Sequence, residues 1–210
     1  MQRALWLSSL LPFLAGACDT PGDRAAAQDA TSGTAPDSGA DASAAPADGS
    51  TPDTGDDVSA VCTRWRADHA QRSEGEWTGS AATCDPGDYL EPGPSNTLRQ
   101  VNLYRWLAGL PEVTLAADMS EAAQACALLM HANRTIEHVI PDDWSCWSGA
   151  GKAAAGLSNL ATTAGVDSID LYMTDQDVDN LGHRRWLLSN SLGPIGVGST
   201  SSFSCLQVLT

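Results

Sequence analysis

The chain has 210 residues, with 26 acidic against 11 basic side chains and a formal net charge of −15. That balance repels phosphate, which excludes nucleic acid as a partner. Neither a Walker-type loop nor a dinucleotide-binding glycine pattern occurs, so phosphate cofactors have no support either.

Residues 1–17 carry Arg3, an apolar run from Ala4 to Leu14 and small residues up to Ala17, the build of a secretory signal peptide. The run is too short to remain as a bilayer-spanning helix. Cleavage before Cys18 reads two ways: as a lipoprotein signal with Cys18 lipidated, or as an ordinary signal with Ala15-Gly16-Ala17 as the cleavage site. The low-complexity stretch that follows favours the first. The expected location is therefore an exported, membrane-anchored lipoprotein, touching the membrane only through its N-terminal lipid, with soluble secretion as the alternative. Residues 18–60 form an acidic tether of Ala, Asp, Pro, Ser, Gly and Thr. From Asp19 to Val58 they hold nine Asp against Arg24, a net −8 that is more than half of the chain's total charge. Such a composition cannot bury enough apolar surface to offset backbone entropy, and a coil of about 40 residues reaches roughly 35 Å.

Residues 61–94 read as a preface closed by a disulfide, and residues 95–210 as the domain proper, about the usual size of one core. Six cysteines in an exported chain indicate an oxidising compartment. With Cys18 lipidated five remain, and pairing neighbours in sequence joins Cys62 to Cys84 and Cys126 to Cys146. Cys205 is then left as a small buried hydrophobe in a closing strand. Ser95 can cap a helix whose apolar positions Leu98, Val101, Tyr104 and Leu107 keep helical spacing, with Gly109 past its end. Asp118 and Glu121 make a start like a capping box for a second helix, which runs to about Thr135 on a stripe of Met119, Ala122, Cys126 and Leu129. His131 lies on that helix and reads as a surface or satisfied core histidine; Glu137-His138 follow just past its end. Pro141 to Gly156 reads as loop, with Trp144 and Trp147 packing on the disulfide at Cys146. Ser158-Asn159 begin a short element, and Asp167-Ser168 cap a helix through Ile169, Tyr172 and Met173. Gly182-His183-Arg184-Arg185 hold an imidazole on a turn anchored by Trp186-Leu187-Leu188. Asp175, Asp177 and Asp179 precede it as a polar loop. Ile195-Gly196-Val197-Gly198 alternate apolar residues with glycine, which reads as an inner strand that another segment approaches closely.

The order of these motifs over residues 95–209 resembles the CAP superfamily, also called the SCP or cysteine-rich secretory and pathogenesis-related domain, in its bacterial form. Asn102-Leu103-Tyr104-Arg105 is similar to the family's Asn-x-x-Arg, and His138 and His183 match its two cavity histidines. Leu157-Ser158-Asn159-Leu160 stands where Gly-Glu-Asn-Leu would be, so Ser158 replaces the first family glutamate, and Asp175 falls roughly at the second. The resemblance implies an α+β fold, an α-β-α sandwich with a small antiparallel sheet between helices, stapled by disulfides. It also implies a cavity lined by His138, His183, Asp175, Ser158 and Asn159.

The expected role is an extracytoplasmic binding module with a degenerate His/acid cavity, whose partner is a small lipid, a cell-wall component or a surface protein. A metal-assisted or protease-like hydrolase using the same cavity is the runner-up, and a structural or partner-binding surface protein is the third reading. No G-x-S-x-G elbow or H-E-x-x-H motif supports dedicated hydrolase chemistry. No cofactor is required. Zinc on His138 and His183, with Asp175 and water completing the set, is expected to bind weakly because Ser158 is a poor ligand, and Ser158→Glu should tighten it.

Overall fold

The computed structural model describes Cys18 and residues 54–210; the expected signal peptide and most of the expected tether lie outside the described residues. Two compact units divide between Thr63 and Arg64. In the first, Cys18 is bonded to Cys62. Helix α1 (Thr54–His69) begins in that unit and takes in positions 54–60, which composition assigns to the tether. None of the described helices is long and apolar enough to cross a membrane.

The second unit follows a helix-rich order: α2 (Gly93–Leu107), α3 (Ala117–Asn133), α4 (Gly149–Gly156), β1 (Ser158–Ala161), α5 (Gly165–Thr174), α6 (Gly182–Leu187), β2 (Gly196–Ser199) and β3 (Ser204–Gln207). The strands form one antiparallel sheet in the order β1-β3-β2, with Leu160 and Gly198 both opposite Cys205. Alternation along the strands divides their side chains between two faces. On one face α3 lies so close to β2 that a Cβ on Gly198 would stand 2.1 Å from the Ala123 carbonyl carbon, and one on Gly196 would stand 2.3 Å from that of Met119. Glycine is required there because backbone meets backbone. The close approach expected of this strand is therefore present, although β2 is an edge strand rather than an inner one. Beside this contact, α3, α4, β1 and β3 enclose an apolar core that includes Ala127, Leu129, Met130, Ile140, Leu160 and Phe203. On the other face the Ser199 hydroxyl accepts a hydrogen bond from Gly165 N at the start of α5, at 3.0 Å.

Several local expectations are corrected. Helix α2 starts after Pro92, and Ser95 sits inside it, donating to Glu91 Oε1 at 2.8 Å rather than capping it. Helix α3 starts at Ala117 without a side-chain cap and stops at Asn133, where Arg134 turns left-handed (φ 55°). Residues 149–156, expected as loop, are helix α4: Ser148 Oγ accepts from Gly151 N at 3.1 Å, and alanines follow. Its Gly151 lets α4 settle on α3, where a Cβ would stand 2.7 Å from Leu129 Cδ1. Helix α5 is capped not by Asp167 or Ser168 but from the preface, where Glu74 accepts from the N–H groups of Val166 and Asp167, both at 2.8 Å. A carboxylate at a helix start satisfies orphan donors and complements the dipole.

The disulfide scheme also differs. Cys84 is bonded to Cys146 and Cys126 to Cys205. Cys126 lies on the face of α3 turned toward the sheet, directly over Cys205 in β3, so the bridge staples helix to sheet; Cys205 is not a free thiol. Cys84, in the preface, reaches the loop before α4 instead of Cys62. Cys18, the expected lipidation site, uses its sulfur in the bond to Cys62. One sulfur cannot carry both a thioether lipid and a disulfide, which is why the count of five cysteines fails here.

Candidate functional site

The cleft forms where the turn between α4 and β1 meets the chain between α5 and α6. It has a volume of about 410 Å³ and is lined by His138, Ser158, Asn159, Val178, Asn180 and His183, with Leu157, Trp186, Val208 and Leu209 adding apolar wall. Three left-handed residues shape it. Asp175 ends α5 at φ 49°, Asp177 follows at φ 63° and Leu181 opens α6 at φ 51°, folding the intervening loop back on itself. Arg184 pins the fold by donating to Met173 O at 2.5 Å and Thr174 O at 2.9 Å, the orphan carbonyls at the end of α5.

Asp175 is buried, and its Oδ1 lies 2.7 Å from His183 Nδ1 while its Oδ2 accepts from Arg184 N at 3.2 Å. A carboxylate only accepts, so His183 Nδ1 carries the proton and Nε2 is the ring nitrogen left for a ligand. The ring also packs on Tyr172, with centroids 5.2 Å apart, and burial pushes the Tyr172 phenol well above its usual range. His138 is fixed similarly, its Nδ1 2.8 Å from Ala155 O, which again leaves Nε2. Asn159, 2% exposed, donates from Nδ2 to His183 O at 3.2 Å and so braces the turn from β1.

All five residues expected around the cavity are thus in one neighbourhood, but their roles differ. Ser158 lines the cleft, yet its hydroxyl donates to Ala154 O at 2.7 Å inside the protein. Asp175 stands behind His183, orienting it, rather than beside it as a third metal ligand. Two imidazole nitrogens are one short of the three protein ligands that catalytic zinc sites use. Among the described residues no group of three or more His, Cys, Asp or Glu is arranged to hold a metal ion. His131 lies outside the cleft: its Nδ1 is 2.9 Å from Thr200 Oγ1 and its ring packs between Trp77 and Phe203. Asp177 and Asp179 do not line the cleft.

Sequence reasoning matched Asn102 and Arg105 to a family motif but gave them no part in holding the site. Arg105, 1% exposed, donates to Pro111 O at 2.8 Å and through one nitrogen to Leu187 O at 2.7 Å and Ser189 O at 2.9 Å. It grips the end of α6, the helix that carries His183, and burial lowers its pKa. Asn102, three residues earlier, exchanges two hydrogen bonds with the backbone of Val113, at 2.9 and 3.0 Å. The Asn-x-x-Arg pattern is therefore a brace for backbone, and no local signal in the sequence separates it from a solvated helix face.

The family model of the cysteine-rich secretory proteins (CAP) matches residues 98–207, which is 110 of the 210 residues. Among solved structures, the chain is similar to an extracellular protein containing an SCP domain from Bacillus anthracis str. Ames, at 18% identity and a TM-score of 0.43. That similarity covers 59% of this chain and 45% of the other. No curated protein matches. With the matched segment spanning α2 to β3 and the His138–His183 cleft inside it, the chain belongs to the cysteine-rich secretory protein family, and its α+β architecture is the CAP fold.

Proposed function

We propose that the protein is an extracytoplasmic binding module whose cleft takes a small ligand by hydrogen bonds to two pre-oriented imidazoles and apolar contact with its walls. The observation that carries this reading is the pairing of His183 with buried Asp175, and of His138 with a backbone carbonyl, so that each presents Nε2 at one cleft. Binding is favoured over hydrolysis because the hydroxyl in the set, that of Ser158, donates to Ala154 O rather than to a base. No cofactor is needed for such binding. The two imidazoles support weak zinc affinity at most.

Export is supported by three disulfides among the described residues, which form and persist in oxidising compartments. Release as a soluble protein and retention through a lipid on Cys18 are exclusive uses of one sulfur, and the Cys18–Cys62 bond favours release. Intact mass of the exported chain tests this. Three disulfides and no acyl mass are expected; an acylated Cys18 with a titratable thiol on Cys62 would reverse it.

The functional reading is tested by incubating the mature chain with lipid extract, peptidoglycan fragments and casein, then reading bound species and products by mass spectrometry. A species retained by the native chain and lost from His183→Gln supports a binding module. Cleavage products that disappear in the same variant would make it a hydrolase. Neither retention nor cleavage would leave a structural role.

A further inference from the structure

A second lobe of about 290 Å³ adjoins the main cleft and is lined by Asn180, Gly182, Arg185, Trp186 and Ser189. Three of these residues, Asn180, Gly182 and Trp186, line both lobes, so the two are one continuous groove around the start of α6. Chemically the halves differ. The main lobe holds imidazoles, amides and apolar side chains and no lysine, arginine or carboxylate, whereas the second holds one cation.

The Arg185 guanidinium is uncommitted, whereas six other cations of the domain are engaged. Arg64, Arg72, Arg99 and Lys152 pair with carboxylates. Arg105 and Arg184 are consumed by backbone carbonyls. The Arg185 side chain makes no hydrogen bond or ion pair among the described residues, and its acidic neighbours in sequence, Asp177 and Asp179, line neither lobe. Between the lobes stands Trp186, an indole 43% exposed to solvent and without a ring partner among the described residues. A guanidinium without a carboxylate partner beside an open indole selects for the opposite charge.

We propose that the groove takes an amphipathic anion: a carboxylate or phosphate at Arg185, a ring or short apolar chain against Trp186, and a neutral polar group at the two imidazoles. This deepens the binding-module reading and rests on it. Asn180, exposed and shared by both lobes, supplies an amide that serves either half. Carboxylate and phosphate both accept charge-assisted hydrogen bonds from a guanidinium, and the test below tells them apart.

The test is nuclear magnetic resonance titration of the mature chain with three matched probes: 4-phenylbutyrate, 4-phenylbutyramide and 4-phenylbutyl phosphate. Following the Trp186 indole and the His138 and His183 rings, the anions are expected to bind about fivefold to tenfold more tightly than the amide, the gain typical of a charge-assisted contact at a partly exposed site. In Arg185→Gln the three probes should bind equally, with the amide unchanged from native. Whichever anion binds more tightly names the head group. Equal binding of all three to the native chain, or a preference that survives in Arg185→Gln, overturns the anion assignment and leaves the binding module standing. Should no probe move the Trp186 or histidine signals, the groove is not a ligand site and both readings fall.

Discussion

The two faces of the sheet are stabilised by different physics. On the α3 face, glycines at 196 and 198 bring helix backbone against strand backbone, a dry cluster fills the space beside them, and Cys126–Cys205 locks the pair. Here packing and a covalent staple suffice. At the cleft the support is different: α6 is six residues long, buries only Leu187, and is held by two arginines, Arg105 and Arg184, that reach backbone carbonyls. Close packing tolerates no added volume, whereas a hydrogen-bonded turn tolerates volume but not the loss of a donor. A site whose ligand must enter and leave is built on the second kind of support.

Substituting the tightest contact should break the first face most severely. Gly198→Val places a branched side chain where even a Cβ has no room, and because the obstacle is backbone the expected cost is about 3 kcal/mol or more, read as a collapse of thermal unfolding temperature. Gly193→Ala, where an added Cβ meets nothing, serves as the neutral control.

On the cleft side, Arg105→Leu keeps volume but leaves the carbonyls of Leu187 and Ser189 without their donor. The expected loss is about 2 kcal/mol, with α6 amides exchanging hydrogen faster than those of α3. Equal acceleration in both helices would contradict the division drawn between the faces.

A smaller effect separates a third region, where the preface meets α2 and α5. Asp170 accepts from Tyr104 at 2.7 Å and from Arg72 at 2.7 Å and lies 3.2 Å from His69. Burial works to raise its pKa, but the hydrogen bonds from His69 and Tyr104 and the charge of Arg72 outweigh it and hold the carboxyl below the usual range. A depressed folded pKa means the unfolded chain binds the proton more readily. The stabilisation is therefore complete above about pH 4, the unfolded value, and is lost as pH falls through the folded one. Asp170→Asn should flatten the fall of stability below about pH 4 relative to native. His131 acts in the same sense at higher pH: burial and then Arg134 lower its pKa, so its contribution declines as pH falls below about 6.5.

Much of the packed face was legible in the residues themselves. The stripes of α2 and α3 and the Ile-Gly-Val-Gly alternation announce burial because packing obeys helical and strand periods. The motif order placed His138, His183 and Asp175 in one cavity. Illegible were features that depend on which segments meet across long separations. Cysteine pairing follows spatial neighbours, so Cys126 finds Cys205 at a separation of 79 rather than Cys146 at 20. Glu74 caps a helix that starts more than ninety residues later. Helix α4 was hidden because three glycines in eight residues lower its propensity, while its docking on α3 depends on one of them. Asp175's place behind His183 rather than beside it depends on three left-handed residues that spacing does not show.

The account rests most heavily on the two imidazoles presenting Nε2 to the cleft. Long-range nitrogen–proton correlation spectra of the histidine side chains, recorded at pH 8 on the native chain and on Asp175→Asn, test it most directly. The native spectrum should show Nδ1-protonated rings for both His138 and His183. Asp175→Asn should disturb His183 alone and weaken retention of the cleft ligand by about tenfold, as loss of an orienting partner does for a ligating histidine. An Nε2-protonated ring at either position in the native chain, or a His183 signal indifferent to Asp175→Asn, would contradict it.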